Sequence, residues 1–318
     1  MTDFFKTLTD LIKEYKQIIL MTHKNMDLDG FSSMICLYNI IKKMNKSCLI
    51  YLNKEQTNDT IDKTLKKLSK ENYNLNVIYD LKKVSENDLL IILDVHKKDL
   101  LENENILDRV KYVAIIDHHI KNIDYIKNTR VSYINSNMSS VSEIMINYSK
   151  FMNYEIDSLL ATIMLAAIEI DTNGFNFKTS ENTYLTAGYL TKLGASTIVK
   201  QEILRESKQN YLERQLFIEQ SYQITDNIIA CKIEKIVTSK ELAMVADSLL
   251  QFENIEASFC IGRLNDDCVG ISARSIGNID VEVIMRKLGG GGHKTEAATR
   301  LNKTVDECEE LLRRIVCK

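Results

Sequence analysis

Six side chains of this 318-residue sequence have the type and placement to hold divalent cations: His23, Asp27, Asp29, Asp94, His118 and Asp171. Each lies just beyond an apolar run. His23-Lys-Asn-Met-Asp27-Leu-Asp29-Gly30 follows Ile18 to Met21, and Asp94 follows Leu89 to Leu93. Asp117-His118-His119 follows Tyr112 to Ile116, and Asp171-Thr172-Asn173-Gly174 follows Leu159 to Ile170. A carboxylate at the end of a buried segment is costly unless something offsets its charge. A divalent cation offsets several at once. The donors are carboxylate and imidazole with no thiolate, which favours Mn²⁺ or Mg²⁺, with Fe²⁺ also suited, over structural zinc. Six ligands exceed what one ion with open positions can take. They suit two ions ~3.5–4 Å apart that share a carboxylate and a water.

Each residue taken alone has a plainer reading. An Asp after a strand is usually a turn former or helix cap, and adjacent histidines are common on surfaces. The coincidence decides: four of the five histidines fall in these motifs or in the glycine-rich segment ending at His293. His96, two residues beyond Asp94, reads as loop or rim.

The elements that must position these groups follow from the hydrophobic pattern. In the first half, strand-like runs (Ile18–Met21, Ser47–Leu52, Val77–Tyr79, Leu89–Leu93, Tyr112–Ile116) alternate with helical segments (Phe31–Met44, Thr57–Ser69). Runs such as LLIIL and YVAII suit strands covered on both faces, as in a parallel sheet. The alternation predicts a doubly wound, mostly parallel α/β domain, whose strand ends are where ligands bind. From Ser140 to about Tyr222 the pattern turns largely helical: Ser142–Met152, Ser158–Ile170, Ser180–Leu193 and Ser196–Ser221. A smaller α/β unit follows, with strands Ile228–Ile233, Ala257–Gly262 and Asp267–Ala273. Its helices are Ser239–Leu250, Val281–Leu288 and Thr304–Val316. The expected division is a catalytic domain over 1–195, a helical linker over 196–225 and a substrate-binding domain over 226–318, with the active-site cleft between the domains.

Composition narrows the classes. Lys plus Arg total 41 against 44 Asp plus Glu, which argues against a protein that coats nucleic acid. The seven cysteines show no CxxC spacing and mostly sit in apolar stretches, so they read as reduced thiols. The N-terminal segment MTDFFKTLTDLIKEYKQ is an amphipathic helix without a secretion-signal layout, and no apolar run is long enough to span a bilayer. A cytoplasmic protein with no membrane partner is expected.

The motifs together resemble the DHH phosphoesterase family. His23-x-x-x-Asp27-x-Asp29-Gly30, Asp94 after its strand, Asp117-His118-His119 and Asp171-Thr172 match its four motifs in order. Ser139-Ser140-Val-Ser-Glu143 resembles the serine-rich helix start that follows the third. Ile271-Ser-Ala-Arg274-Ser275 and Gly289-Gly-Gly-Gly-His293 resemble the DHH-associated C-terminal domain. The size is most similar to the short two-domain branch, which acts on short oligoribonucleotides and 3′-phosphoadenosine 5′-phosphate. Some of its relatives hydrolyse cyclic or linear di-adenylate. One departure is local: many members of that branch carry Pro-Asp-Gly-Asp-Ala where this chain has Met26-Asp27-Leu28-Asp29-Gly30.

The resemblance implies two Mn²⁺ ions, with Mg²⁺ or another divalent metal as substitutes. One would be held by His23, Asp27 and Asp94, the other by Asp29, Asp94, His118 and Asp171. Asp117 would orient a neighbour, and His119 would face the phosphoryl oxygens or protonate the leaving oxygen. Arg274, Ser275, Gly290, Gly291, Gly292 and His293 would grip the substrate. Asn137, Ser139 and Ser140 read better as helix-capping groups. The implied activity is hydrolysis of short RNA or DNA oligonucleotides or small nucleotides by water activated between the ions. The alternatives are a di-adenylate phosphodiesterase and a nucleotide-binding regulatory protein that kept the fold. Relatives often pair, so a homodimer is compatible with the resemblance.

Overall fold

Strands β1 (Gln17–Met21), β2 (Ser47–Tyr51), β3 (Val77–Ile78), β4 (Leu89–Leu93), β5 (Tyr112–Asp117) and β6 (Val131–Ile134) form one sheet. Its order is β3-β2-β1-β4-β5-β6, and every adjacent pair is parallel. The structure, a computed structural model, describes residues 1–53, 58–121 and 124–317. Thr57, the expected start of a helix, and Lys318, the expected end of the second domain, lie outside them.

The all-apolar strands are explained by burial on both faces. Ile18, Leu20, Leu89, Ile91, Leu93, Ala114 and Ile116 point into one core cluster. Ile19, Met21, Leu90, Ile92, Val113 and Ile115 point into another. This is the period-two alternation of strand side chains. The first cluster is covered by helices α1 (Thr2–Glu14), α2 (Leu28–Lys43), α3 (Asp59–Lys70), α4 (Val141–Phe151) and α5 (Ser158–Asp171). Leu190 of α6 (Glu181–Lys192) and Ile203 of α7 (Thr197–Leu204) join it. The second is covered by Leu101, Ile106 and Val110, from a segment with two short 3₁₀ turns in place of a full helix. The strand order reverses between β1 and β4, so the crevice at their carboxyl ends is the topological switch point of the sheet. His23 and Asp94 lie directly beyond those two ends.

The chain divides into two compact units between Arg205 and Glu206. A single helix over 196–221 is not what forms. Arg205 is extended (φ −56°, ψ 134°), and the Ser207 hydroxyl accepts from the Asn210 amide to start α8 (Lys208–Glu219). The serine thus restarts a helix inside a stretch whose charge pattern reads as continuous. The second unit holds β7 (Tyr222–Thr225), β8 (Ile228–Ile236), α9 (Ser239–Leu249), β9 (Ala257–Asn265), β10 (Cys268–Ser275), α10 (Val281–Lys287), β11 (Gly291–Gly292), β12 (Glu296–Leu301) and α11 (Val305–Val316). Its sheet runs β11-β12-β10-β9-β8-β7, with β8–β9 parallel and the other pairs antiparallel. Phe259, Ile261, Ile271 and Ala273 pack there against Met285 of α10 and Leu312 of α11. Among the described residues no helix is long and apolar enough to cross a membrane.

The link between β1 and α2 depends on one close approach. A Cβ on Gly30 would stand 2.3 Å from Thr22 Oγ1 and 3.2 Å from its Cβ. Thr22 is itself buried, so it has nowhere to go. Gly30→Ala is expected to destabilise the protein by about 1–3 kcal/mol through overpacking, read as a lower urea midpoint at unchanged m-value.

Candidate metal centre

Asp94 stands at the centre of the cluster. It leaves β4 with φ 63°, a left-handed conformation that Asp tolerates better than most residues. Its amide still donates to Ile116 O at 2.9 Å, which ties the turn to β5. The carboxylate is buried, and neither oxygen has a hydrogen-bond partner among the described residues. Oδ2 lies 3.5 Å from His23 Nε2, and Oδ1 lies 3.4 Å from His118 Nε2. A buried, orphaned carboxylate with an imidazole off each oxygen fits a cation on either side of it.

Three donor groups form here among the described residues. His23, Asp27 and Asp94 offer ligand atoms all within 4.8 Å of one another, and so do Asp29, His118 and Asp171, and Asp94, His118 and His119. Asp27 is the N-cap of α2: Oδ1 accepts from the Gly30 amide at 3.0 Å and sits 3.6 Å from His23 Nε2. Asp29, in the first turn of α2, takes the Val141 amide at 2.6 Å and the Ser142 amide at 2.8 Å, one on each oxygen. It therefore sits on the N-terminus of α4, where backbone donors and the helix dipole favour an anion. Asp171 is the last residue of α5, with Oδ2 3.5 Å from His118 Nε2. The departure at Met26 to Gly30 still delivers both aspartates, because Asp27 caps the helix that carries Asp29.

The electrostatics show too many negative charges for the space. Burial pushes Asp29 up to about 7, with Asp94 adding to it and His118 opposing. Burial and the charges of Asp29 and Asp27 hold Asp171 well above the ordinary carboxylate range. Burial alone would raise Asp27, but the His23 charge and hydrogen bond outweigh it and hold Asp27 below that range. Burial would lower His118, yet the close approach of Asp94 and the charges of Asp94, Asp171 and Asp29 lift it to about 10. His23 is raised in the same way, with Asp27 and Asp94 overcoming burial. Raised values of this kind are what a cluster of uncompensated negative charge produces, and cations would lower them.

Asp117 is fully buried and spoken for on both oxygens. Oδ1 accepts the His119 amide at 3.0 Å and its ring Nδ1 at 2.8 Å, while Oδ2 meets His96 Nδ1 in a very short contact. His96 lies in a loop, as expected, but not at a rim: it is buried at 3% exposure. Spacing could not reveal this, because the loop after Asp94 meets the chain beyond β5; the His96 carbonyl accepts from the Ile126 amide at 2.8 Å. His119 is about half exposed. Ser140 caps α4 through the Glu143 amide, and Ser139 binds the Glu143 carboxylate through its amide. Asn137 donates its amide to Asn135 Oδ1 in the turn before α4.

The remaining candidates lie in the second unit. Arg274 is largely buried, with Nε on Asp247 at 2.8 Å and Nη1 on Ser272 Oγ and Ala273 O. Ser275 is buried, and its hydroxyl donates to Ile279 O at 2.6 Å and accepts from the Gly277 amide. Its bonds hold a turn. A Cβ on Gly290 would meet Ala298 O at 2.2 Å, and one on Gly292 would meet Ala297 Cα at 2.4 Å, so β12 itself demands these glycines. Gly291 faces open space. His293 opens the tight turn into β12, its amide donating to Glu296 O.

The protonation pattern has a measurable consequence. His118 with a pKa of about 10 is charged at pH 8, and coordination through Nε2 requires the neutral ring. Mn²⁺ binding at pH 8 is therefore expected to release about one proton from this ring, read by titration calorimetry in two buffers of different ionisation enthalpy. Asp94→Asn removes a main support of that raised pKa and should lower the number of protons released per ion bound. Unchanged proton release in the variant would contradict the assignment.

Comparison with known proteins agrees with this geometry. Residues 17–168 match the DHH family N-terminal domain, and residues 225–316 match the DHHA1 domain. A cyclic-di-AMP phosphodiesterase, GdpP, of Geobacillus thermodenitrificans is 32% identical over 97% of this chain and 48% of its own length. A probable bifunctional oligoribonuclease and PAP phosphatase, NrnA, of Streptococcus mutans is 23% identical over 90% of each chain. The chain thus spans about half the length of the first of these relatives and nearly all of the second. The crystal structure of an exopolyphosphatase-related protein from Bacteroides fragilis superposes with a TM-score of 0.83 at 18% identity, covering 99% of this chain and 96% of that one, which shows the shared fold. The chain belongs to the DHH family, with a DHH domain followed by a DHHA1 domain.

Proposed function

We propose that this chain is a two-cation phosphodiesterase acting on a small adenylate nucleotide, with a di-adenylate as the preferred substrate. The observation that carries the chemistry is Asp94, a buried carboxylate whose unpaired oxygens each approach a different histidine. In this reading His23, Asp27 and Asp94 hold one ion, and Asp29, Asp94, His118 and Asp171 hold the other. Asp29 keeps lone pairs for a cation beyond the two amides it accepts. The oxygen–imidazole donor set supports Mn²⁺. Two such ions make water nucleophilic near neutral pH and neutralise charge on the phosphoryl group. Asp117 engages the Nδ1 face of His119, leaving the ring's Nε2 edge to meet a phosphoryl or leaving oxygen. Arg274, fixed by Asp247, keeps its Nη2 edge for a phosphate, and Gly291 and His293 offer further contacts. Ser275, Gly290 and Gly292 act by shaping that turn.

The di-adenylate preference rests on relatives. Two proteins named cyclic-di-AMP phosphodiesterase GdpP are 30–32% identical over 97% of this chain. The second reading, hydrolysis of short oligonucleotides or 3′-phosphoadenosine 5′-phosphate, is supported by the relative this chain matches at nearly full length.

A substrate panel with Mn²⁺ separates the readings. It would contain cyclic and linear di-adenylate, three- to five-nucleotide RNA and DNA, and 3′-phosphoadenosine 5′-phosphate. The expected result is a kcat/KM at least ~10-fold higher on a di-adenylate, a difference of about 1.4 kcal/mol in transition-state binding. Asp94→Asn should remove activity on every substrate while circular dichroism stays unchanged. Faster cleavage of short RNA would establish the second reading, and cleavage of nothing would leave a nucleotide-binding protein.

A further inference from the structure

We propose that His96 is a positioning residue for His119, acting through the carboxylate of Asp117. The proposal rests on the reading that His119 faces the reacting phosphate, and it adds the question of what keeps that ring in place.

The side chains form a relay of three. His96 Nδ1 contacts Asp117 Oδ2, and Asp117 Oδ1 holds both the amide and the ring Nδ1 of His119. His96 and Asp117 are buried at 3% and 0% exposure, whereas the His119 side chain is 49% exposed. The relay thus runs from the interior outward and ends on an accessible ring. An imidazole nitrogen facing a carboxylate is set as its donor. Asp117 is then pinned at both oxygens and cannot rotate about its terminal bond.

The pinning matters because His119 has a second carboxylate within reach. Its Nδ1 lies 2.8 Å from Asp117 Oδ1 but only 3.5 Å from Asp94 Oδ1. Asp94, His118 and His119 offer donor atoms within 4.8 Å of one another. Without His96, Asp117 Oδ2 would be buried with no donor. The carboxylate would turn to find one, release the ring, and leave His119 free to swing toward Asp94. His96 therefore separates the half-exposed histidine from the cluster that the other two motif histidines join.

The test compares His96→Leu, which has no donor, with His96→Asn, whose side-chain N–H falls near the position of Nδ1. His96→Gln places its N–H one bond too far. The first readout is the downfield, slowly exchanging ring N–H proton of His119 in the NMR spectrum of the metal-free protein. It should persist in wild type and His96→Asn, and be lost in His96→Leu and His96→Gln. The second readout is kinetic. His96→Leu should lower kcat roughly 10–100-fold with KM and the Mn²⁺ dependence unchanged, and His96→Asn should restore most of it. If His96→Leu does not fold, the Asn–Gln pair carries the same comparison. Equal ring-proton signals or equal kcat in folded variants with and without the donor would overturn the proposal. The NMR comparison needs no substrate, so it decides the role of His96 even if the panel above finds no hydrolysis.

Discussion

Four carboxylates and two imidazoles at one edge of a sheet, most of them shielded from water, set the terms for the rest of the molecule. Burial and like charges at this density push Asp29 and Asp171 up, and the neighbouring carboxylates push His23 and His118 up against their burial. The arrangement persists because its members come from separate, rigid elements. β1, β4 and β5 deliver His23, Asp94 and His118 from adjacent strand ends, and α2 and α5 bring Asp27, Asp29 and Asp171 against them. A loop-borne cluster could relieve the repulsion by moving apart; this one has little freedom to do so.

The surrounding polar contacts serve the same constraint. Asp29 is stabilised by the amides that open α4. Glu143, buried one turn into that helix, accepts from the Ser139 amide and from the Thr183 hydroxyl at the start of α6. Ser32 of α2 and Ser142 of α4 share a hydrogen bond at 2.8 Å. Three helix N-termini are thus tied together behind the cluster by short side chains, which lets α2, α4 and α6 approach closely at the point where charge is concentrated.

Much of this was legible in the sequence because both signals are local. Continuous apolar runs mark strands buried on two faces, and an acidic or histidine residue directly after such a run marks the strand's carboxyl end. The motifs added order and spacing. What stayed hidden depends on contacts between distant residues. The burial of His96 follows from a loop folding back to Ile126, and the anchoring of Asp29 is set by a helix more than a hundred residues later. Gly290 and Gly292 read as a phosphate-binding run, yet β12 passes so close that no side chain fits, a fact of register rather than composition. The half-buried β6 lacks a continuous apolar run, and two-residue β11 is too short for any periodicity. The α7–α8 break turns on a single serine cap within a uniformly polar stretch.

The placement of Asp171 at the final turn of α5 bears on biosynthesis. The donor groups enter the chain from residue 23 to residue 171, and the segments between them include nearly the whole parallel sheet. During vectorial synthesis the earlier strands can pair as they emerge, but the set stays one arm short until α5 has been extruded and packed. A ribosome-bound fragment that stops before that helix lacks Asp171, so the Asp29, His118 and Asp171 group cannot assemble until α5 has packed.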